Sequence, residues 1–483
     1  MPRPQRLNKK NKSAPKNKLQ AAGYSPLRAR IYSNITSSNK DYNPVDRREV
    51  MRLSRFFRDN DPTASRLVEI SCQYSSGVEF IPNSSDSTYN ANTSITWSKF
   101  SRAPLIDMTV NLKQTQSMTL AGVIVDGDIF ILKTEREAKP KIKLIESHAV
   151  NTPEALKDKE GITIFEGVEV DPIMGYPTFY YVETLEGHKK IPADLIIHVY
   201  DPERAGQRRG LSRFSPALNT IRDLRDILDA ETAAVKDASK TSKVIKTKTG
   251  EIDPDSGLGR RLGAGARKNA QNPTKYKDRV NILLQDAGPE TLVLDKDEEY
   301  NQFQQLRPSD SVAKFWDDLR TDICTAFGLP VQIVLPTRAT GPTQRAILET
   351  AARTYEELAN IVSTAFYEVY KWLLQYEREQ NPDFYKNAPS DWLEVSTIIP
   401  RPPGIDASRN SNAMLNEYRV GATSLQQIIA SAGRSDWKSV LRQKAEAEKY
   451  KQELALEFKI SPESISALTE TIINESYTPQ VQA

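Results

Sequence analysis

Asp201-Pro202-Glu203-Arg204-Ala205-Gly206-Gln207-Arg208-Arg209-Gly210-Leu211-Ser212-Arg213-Phe214-Ser215-Pro216-Ala217-Leu218 is the stretch from which the rest of this chain can be read. It follows directly on Ile196-Ile197-His198-Val199-Tyr200, a β-branched run that predicts a strand. It then passes through a basic, glycine-marked turn and predicts a helix opening at Ser215-Pro216. A serine hydroxyl accepts from the first free helical amides. Proline at the first helical position loses nothing, because its missing N–H would have no partner there. A strand, a charged loop and a capped helix are therefore expected in succession.

Upstream, residues 46–71 carry Val50, Leu53, Phe57, Leu67 and Ile70 at helical spacing. Asn60-Asp61-Pro62 splits them into two helices, because proline disfavours helix at the residue before it. Strands are expected over 119–125, 129–134, 142–146, 162–170, 178–182 and 195–200, separated by Gly, Pro and Asp turns. Downstream, a helix over 216–238 places Leu218, Ile221, Leu224, Leu228 and Val235 on one stripe, with Arg222, Asp223, Asp226 and Asp229 away from it. Further strands are expected over 244–248 and 281–284. Between them lies a Gly-, Arg- and Lys-rich stretch over 250–275. It lacks the GxxxxGK[ST] spacing of a phosphate-binding loop, so it reads as a surface loop.

After Leu306-Arg307-Pro308 the pattern turns helical. Ser309 or Ser311 can cap a helix that carries Val312, Phe315, Trp316, Leu319, Ile323 and Phe327 and that Gly328 and Pro330 stop. A loop of mixed turn and extended character over 331–340 leads to Pro342 and a second helix to about Glu377. Its apolar positions, from Leu348, Ala351 and Tyr355 to Val369, Trp372 and Tyr376, repeat at about 3.5 residues. That stripe predicts packing within the subunit, with contact to a neighbouring subunit as the second reading. Residues 392–399 read as a strand. Arg401-Pro402-Pro403-Gly404 breaks the chain before a helix from Asp406, and residues 436–456 predict a last helix.

Composition sets independent bounds. At 483 residues, with 38% hydrophobic and 27% charged content, the chain has material for about three packed units. The longest apolar stretch, 119–132, is interrupted by Asp126 and Asp128 and is too short for a membrane span. No signal-peptide pattern is visible, and Cys72 and Cys324 are too few for a disulfide framework, so a soluble intracellular product is expected. The net charge of +3 conceals an asymmetry. Residues 1–40 hold ten of the 66 basic residues and no acid, leaving 56 basic against 63 acidic residues, a body of net −7. The first 18 residues are rich in Asn, Pro and Lys and predict a disordered arm. Arg3, Arg6, Lys9, Lys10 and Lys12 are its candidate contacts to nucleic acid or an acidic partner. An acidic body suits a conduit, since a protein that grips DNA presents phosphate-neutralising cations on its folded surface.

Catalytic signals are nearly absent. The only histidines are His148, His188 and His198, none paired at i, i+4, and His198 reads as a structural residue of its strand. No zinc-ligand spacing, GxSxG elbow, HExxH or Walker motif occurs. Asp126 and Asp128 flank Gly127 and are read as a hairpin turn and not as a metal pair. No enzymatic activity, cofactor or metal is expected.

The 201–218 phrase resembles the corresponding junction of the lambda-like phage portal family. So, in order, do residues 53–82, the strand pair over 167–182, Phe327-Gly328-Leu329-Pro330, and residues 402–424. The resemblance implies an α+β portal subunit with an α/β wing, helical stem, clip and helical crown, assembled as a dodecameric ring at one capsid vertex. Double-stranded DNA would be packaged and ejected through it without sequence specificity. It further implies a terminase, head–tail connector or adaptor proteins and a major capsid or scaffold protein as partners, no membrane, and host cytoplasm as the place of assembly. By the same analogy residues 1–42 are the arm, 43–305 the wing, 306–329 and 404–419 stem helices and 330–403 the clip. Residues 420–440 are the tunnel loop and wing helix, and 441–483 the crown. Arg419, Val420, Gly421, Ala422, Thr423 and Ser424 would face DNA. Gln332, Pro336, Thr337 and Arg338 would face partners. A capsid shell or scaffold protein, or a DNA-binding replication or recombination enzyme, are the rival readings.

Overall fold

The computed structural model describes residues 37–157, 161–240, 243–246, 291–294, 310–335, 340–382, 386, 388–400, 407–431 and 437–458. A single helical turn, α1 (Ser38–Asp41), precedes α2 (Pro44–Asn60) and α3 (Pro62–Ser75). Both long helices open on proline. The Asn43 side-chain oxygen accepts from the Val45 and Asp46 amides, and the Asp61 carboxylate from the Ala64 amide at 2.9 Å. Asp61 therefore ends one helix and caps the next, as the Asn-Asp-Pro break requires.

β1 (Glu79–Pro82) leads through α4 (Ser87–Arg102) to α5 (Leu112–Asp126). The sequence pattern gave no helix at α4 and a strand at 119–125. α5 is started by reciprocal capping between Asn111 and Gln114 and stopped by Gly127 at φ +96°. Leu120, Val123, Ile124 and Val125 are all buried. A helix end without a polar face has no amphipathic period, and its β-branched run mimics a buried strand.

β2 (Asp128–Arg136) and β3 (Lys139–Glu146) form a hairpin. β4 (Thr163–Phe165), β5 (Val168–Val170), β6 (Pro177–Thr184) and β7 (Gly187–Pro192) make an antiparallel sheet in sequential order. β8 (Ile196–Tyr200) then returns to pair with β2. The expected single strand over 162–170 is instead a hairpin, reversed at Glu166 and Gly167, whose φ values are 43° and 85°. β7 is exposed and polar along the edge of its sheet, which hides it from a hydrophobic pattern.

α6 (Leu218–Lys240) begins later than Ser215-Pro216. Residues 213–217 are a turn in which Ser215 N–H donates to Ser212 O and Ala217 N–H to Phe214 O at 2.8 Å. The Ser212 hydroxyl fastens this turn, accepting from the Phe214 amide at 3.1 Å. Then follow β9 (Lys243–Lys246), β10 (Thr291–Leu294), α7 (Asp310–Ala326), α8 (Val331–Val334), α9 (Gly341–Gln380), β11 (Val395–Ile398), α10 (Ala407–Arg419), α11 (Leu425–Ser431) and α12 (Trp437–Phe458). β9 and β10 pair in parallel, and β11 pairs antiparallel with β1. α8 stands where a loop was expected. The expected loop over 250–275 and strand over 281–284 lie outside the described residues.

Two hydrophobic cores result. The smaller lies between the two larger sheets around Phe130, Val150, Val168, Tyr180 and Ile196. The larger joins α3, α4, α5, the start of α6, the end of α7 and α9. The 40-residue α9 buries Leu358, Ala359, Val362, Phe366, Val369, Tyr370 and Leu373 in that core. Although α9 lies in the stretch expected as the clip, it is the central strut of this core. Its buried face, with adjacent pairs such as Leu358/Ala359 and Val369/Tyr370, is wider than a two-per-heptad seam, as a core helix requires. The last residues of the stretch expected as the arm pack on the body. Ser38 is buried, and Asn39 bonds Gly206 O and the Arg208 amide, so the folded body begins by Ser37.

α6 and α7 pack against each other as an antiparallel pair. Phe214 and Phe327 meet edge-on at its root, with centroids 4.7 Å apart. Leu218, Ile221 and Leu224 at the start of α6 are buried, as are Ile323 and Phe327 at the end of α7, whereas Val235 and Phe315 are 45% and 49% exposed. The pair thus leaves the core as a projecting hairpin.

Candidate functional site

The 201–218 loop is held by a buried ionic network. Gln207, 3% exposed, accepts at Oε1 from the Glu203 and Arg204 amides and donates through Nε2 to Arg209 O at 2.9 Å. The Tyr200 hydroxyl donates to Gln207 O at 3.0 Å. This shapes the turn so that Arg209 enters the protein. Its Nε and Nη2 donate to the Asp128 carboxylate at 2.7 and 3.1 Å, and its Nη atoms also donate to the carbonyls of Ser147, Val150 and Glu166. Asp128 additionally accepts from the Gly210 amide at 2.9 Å and from the Ser147 hydroxyl. Arg47 of α2 lies 3.7 Å from Asp128 and donates to Glu166 at 2.7 Å.

Two guanidinium groups thus face two carboxylates, all four nearly excluded from solvent. Burial alone would raise the Asp128 carboxyl, but Arg209, Arg47 and the hydrogen bonds from His198 and Arg209 hold it well below the ordinary carboxylate range. His198 sits 3.3 Å from Asp128, stacked between Phe130 and Tyr200 at 4.3 and 4.4 Å. Burial lowers its pKa below the usual 6.5, so it stays neutral near pH 7. Charge in the network therefore balances. The backbone closes it further, since a Cβ on Gly210 would lie 1.9 Å from Gly127 O.

This arrangement fastens parts together and offers no reacting group. Arg209 is saturated by its acceptors, and it pins the loop before α6 to both sheets. Asp126 and Asp128 do not form the expected hairpin turn, because Gly127 joins a helix to a strand and sends the two carboxylates to different guanidiniums. Asp126 pairs with Arg55 at 2.5 Å, and Asp128 enters the network. Among the described residues no three His, Cys, Asp or Glu side chains converge as metal ligands. Burial pushes the Cys72 and Cys324 thiols up to about 12 and about 11. No helix among the described residues is long and apolar enough to cross a membrane.

The sequence-designated surface residues are scattered. Arg419 ends α10, and Gly421 at φ +76° closes it while Ala422 N–H donates to Glu417 O at 2.8 Å. Ser424 and Gln427 then cap α11 reciprocally. Arg419–Ser424 is therefore a tight turn between two helices. Val420 is 79% exposed on it, and Gly421 and Ala422 are also exposed. Gln332 is half-buried in α8, which packs on α3, α7 and α9. Pro336, Thr337 and Arg338, and the arm residues Arg3, Arg6, Lys9, Lys10 and Lys12, lie outside the described residues.

Comparison with known proteins gives a family match. A model described as "Phage portal protein, lambda family" matches residues 25–358. No curated protein matches the chain. Among solved structures, a chain from the "Neck of empty GTA particle computed with C6 symmetry" is similar at TM-score 0.47 and 15% identity, covering 81% of this chain and 94% of that one. A chain from the "Virion of native gene transfer agent (GTA) particle" is similar at TM-score 0.43 and 14% identity, covering 81% and 94% respectively.

Proposed function

The chain belongs to the lambda family of phage portal proteins, and from that premise we propose how its parts build the portal. A portal protein provides the channel through which double-stranded DNA enters and leaves a capsid. Copies of this chain form a closed ring by heterologous, head-to-tail contacts, twelve by family analogy. The ring sits at one capsid vertex, after assembly in the host cytoplasm among major capsid or scaffold proteins.

The observation that carries the reading is the projecting pair of α6 and α7, whose Val235 and Phe315 stay 45% and 49% exposed among the described residues. We assign this pair as the stem. α7 corresponds to the stem helix expected over 306–329, and its partner is α6, which supports α6 over residues 404–419 as the second stem helix. The stretch between α6 and α7, residues 241–309, then takes the clip role, facing terminase during packaging and connector or adaptor proteins afterwards. α10–α12 take the crown role.

The turn Arg419–Ser424 remains our proposal for a DNA-facing loop, supported by its exposed, uncharged Val420, Gly421, Ala422 and Ser424. Weak contacts suit DNA that must slide, since each fixed cation deepens a trap. The family is structural, and we propose that this chain has no ATPase or nuclease activity of its own.

Electron microscopy of the purified protein tests the assembly. Closed rings with a central hole are expected, and Val235→Asp with Phe315→Asp should yield monomers with unchanged circular dichroism. A stable wild-type monomer at micromolar concentration, or normal rings from the double variant, would overturn the assignment.

A further inference from the structure

A groove of about 1330 Å³ runs along α4. Ser87, Ala91, Ser94 and Ser98 line it on one helical face, with Arg102 at the end. These positions span about 22 Å of helix. Small side chains let a second segment approach closely, and Ile95, 53% exposed, offers an apolar foothold among them. β1 and Ile398 form the floor, and Trp437 and Arg442 of α12 form the far wall. The charged lining is Lys99, Arg102, Lys113 and Arg442 against Glu79 alone, so the groove is basic.

We propose that residues 459–483 of the same chain dock in this groove. They continue from α12, whose own first turns already wall it. The inference stands independently of the portal reading.

Three features select this segment. Its charge is complementary, with Glu463, Glu470 and Glu475 against the single Lys459. Residues 1–36 carry only basic charge and are repelled by the same rim. Its apolar residues Ile465, Leu468 and Ile472 recur at steps of three and four, a spacing that suits a row of contacts along one helix face. Its reach also fits. α12 carries the chain about 24 Å from Arg442 to Phe458, and the stretch from Lys459 to Ile465 returns about the same distance when extended. α12 itself ends with Leu456 and Phe458 81% and 65% exposed, so its last turn leaves apolar surface uncovered.

The experiment uses the full chain with Ser94→Cys, read by the rate of labelling with a fluorescent maleimide. The native Cys72 and Cys324 are buried with raised thiol pKa values and stay silent. Labelling of residue 94 should be slow, and at least about tenfold faster, the equivalent of about 1.4 kcal/mol, when Ile465→Asp, Leu468→Asp and Ile472→Asp are added. In a second measurement, Ser94→Cys with Ile472→Cys should cross-link within one chain under mild oxidation. Equal labelling rates would overturn the proposal. A cross-link that joins two chains would do so as well, because the groove would then hold a neighbour's segment.

Discussion

Asp128→Ala is the sharpest perturbation of this structure. The wild-type carboxylate is 0% exposed and balances Arg209 at 2.7 Å and Arg47 at 3.7 Å. Removing it leaves two buried guanidiniums sharing Glu166 and also strands the Gly210 amide. Breaking one side of a buried ion pair costs about 3–5 kcal/mol, most of it from the uncompensated charge left behind. Arg209→Met should cost about as much, because it leaves Asp128 with the more distant Arg47 and three carbonyls without a donor. If the two residues act as one unit, the double variant should cost about 4–5 kcal/mol and not the sum, a coupling of about 3 kcal/mol. Equilibrium urea unfolding by circular dichroism at pH 7 and fixed subunit concentration measures all three. A loss below about 1 kcal/mol for Asp128→Ala, or full additivity in the double variant, would refute the account of the network. Because the Asp128 carboxyl is depressed in the folded state, its contribution is present above the ordinary value of 3.8 and is lost only as pH falls further, through the folded value.

Gly210→Ala places a methyl against the Gly127 backbone and should destabilise by roughly 3 kcal/mol; a melting temperature equal to wild type would show that the loop moves easily away from Gly127. His198 has a depressed pKa, so its neutral form contributes stability that is full above pH 6.5 and is lost as pH falls below it. Wild type should therefore weaken as pH falls below 6.5, and His198→Gln should show a flatter profile there when unfolding is followed in urea. Ala422→Trp enlarges the exposed turn after α10 and should leave rings intact while impairing DNA packaging; wild-type packaging with normal rings would place the constriction elsewhere.

Much of the architecture could be read from the sequence because local chemistry wrote it there. The Asn60-Asp61-Pro62 break divides α2 from α3, and Gly328 stops the turn after α7. α4 escaped because Ser, Thr and Asn dominate its exposed face, although Asp86 caps it and Tyr89, Thr93, Trp97 and Phe100 are buried along it. The ionic network was out of reach for a different reason. Arg47, Asp128, Glu166 and Arg209 are separated by tens of residues, and only the folded chain brings them together. The 201–218 phrase was conspicuous, yet nothing in its spacing said that Gln207 bends the loop so that Arg209 points inward.

The placement of that network has a mechanical consequence. A pull along the projecting pair reaches the body at two points, the hydrophobic seat of Phe214 and Phe327 and the loop that precedes α6. The loop is clamped crosswise by Arg209 to β2, to the turn before β5 and to the segment after β3, so tension on α6 is distributed over both sheets at once. An apolar contact yields by sliding, whereas a guanidinium with acceptors on several strands must break them together. The root of the pair is thus stiff in shear, the behaviour of a beam built into a rigid frame.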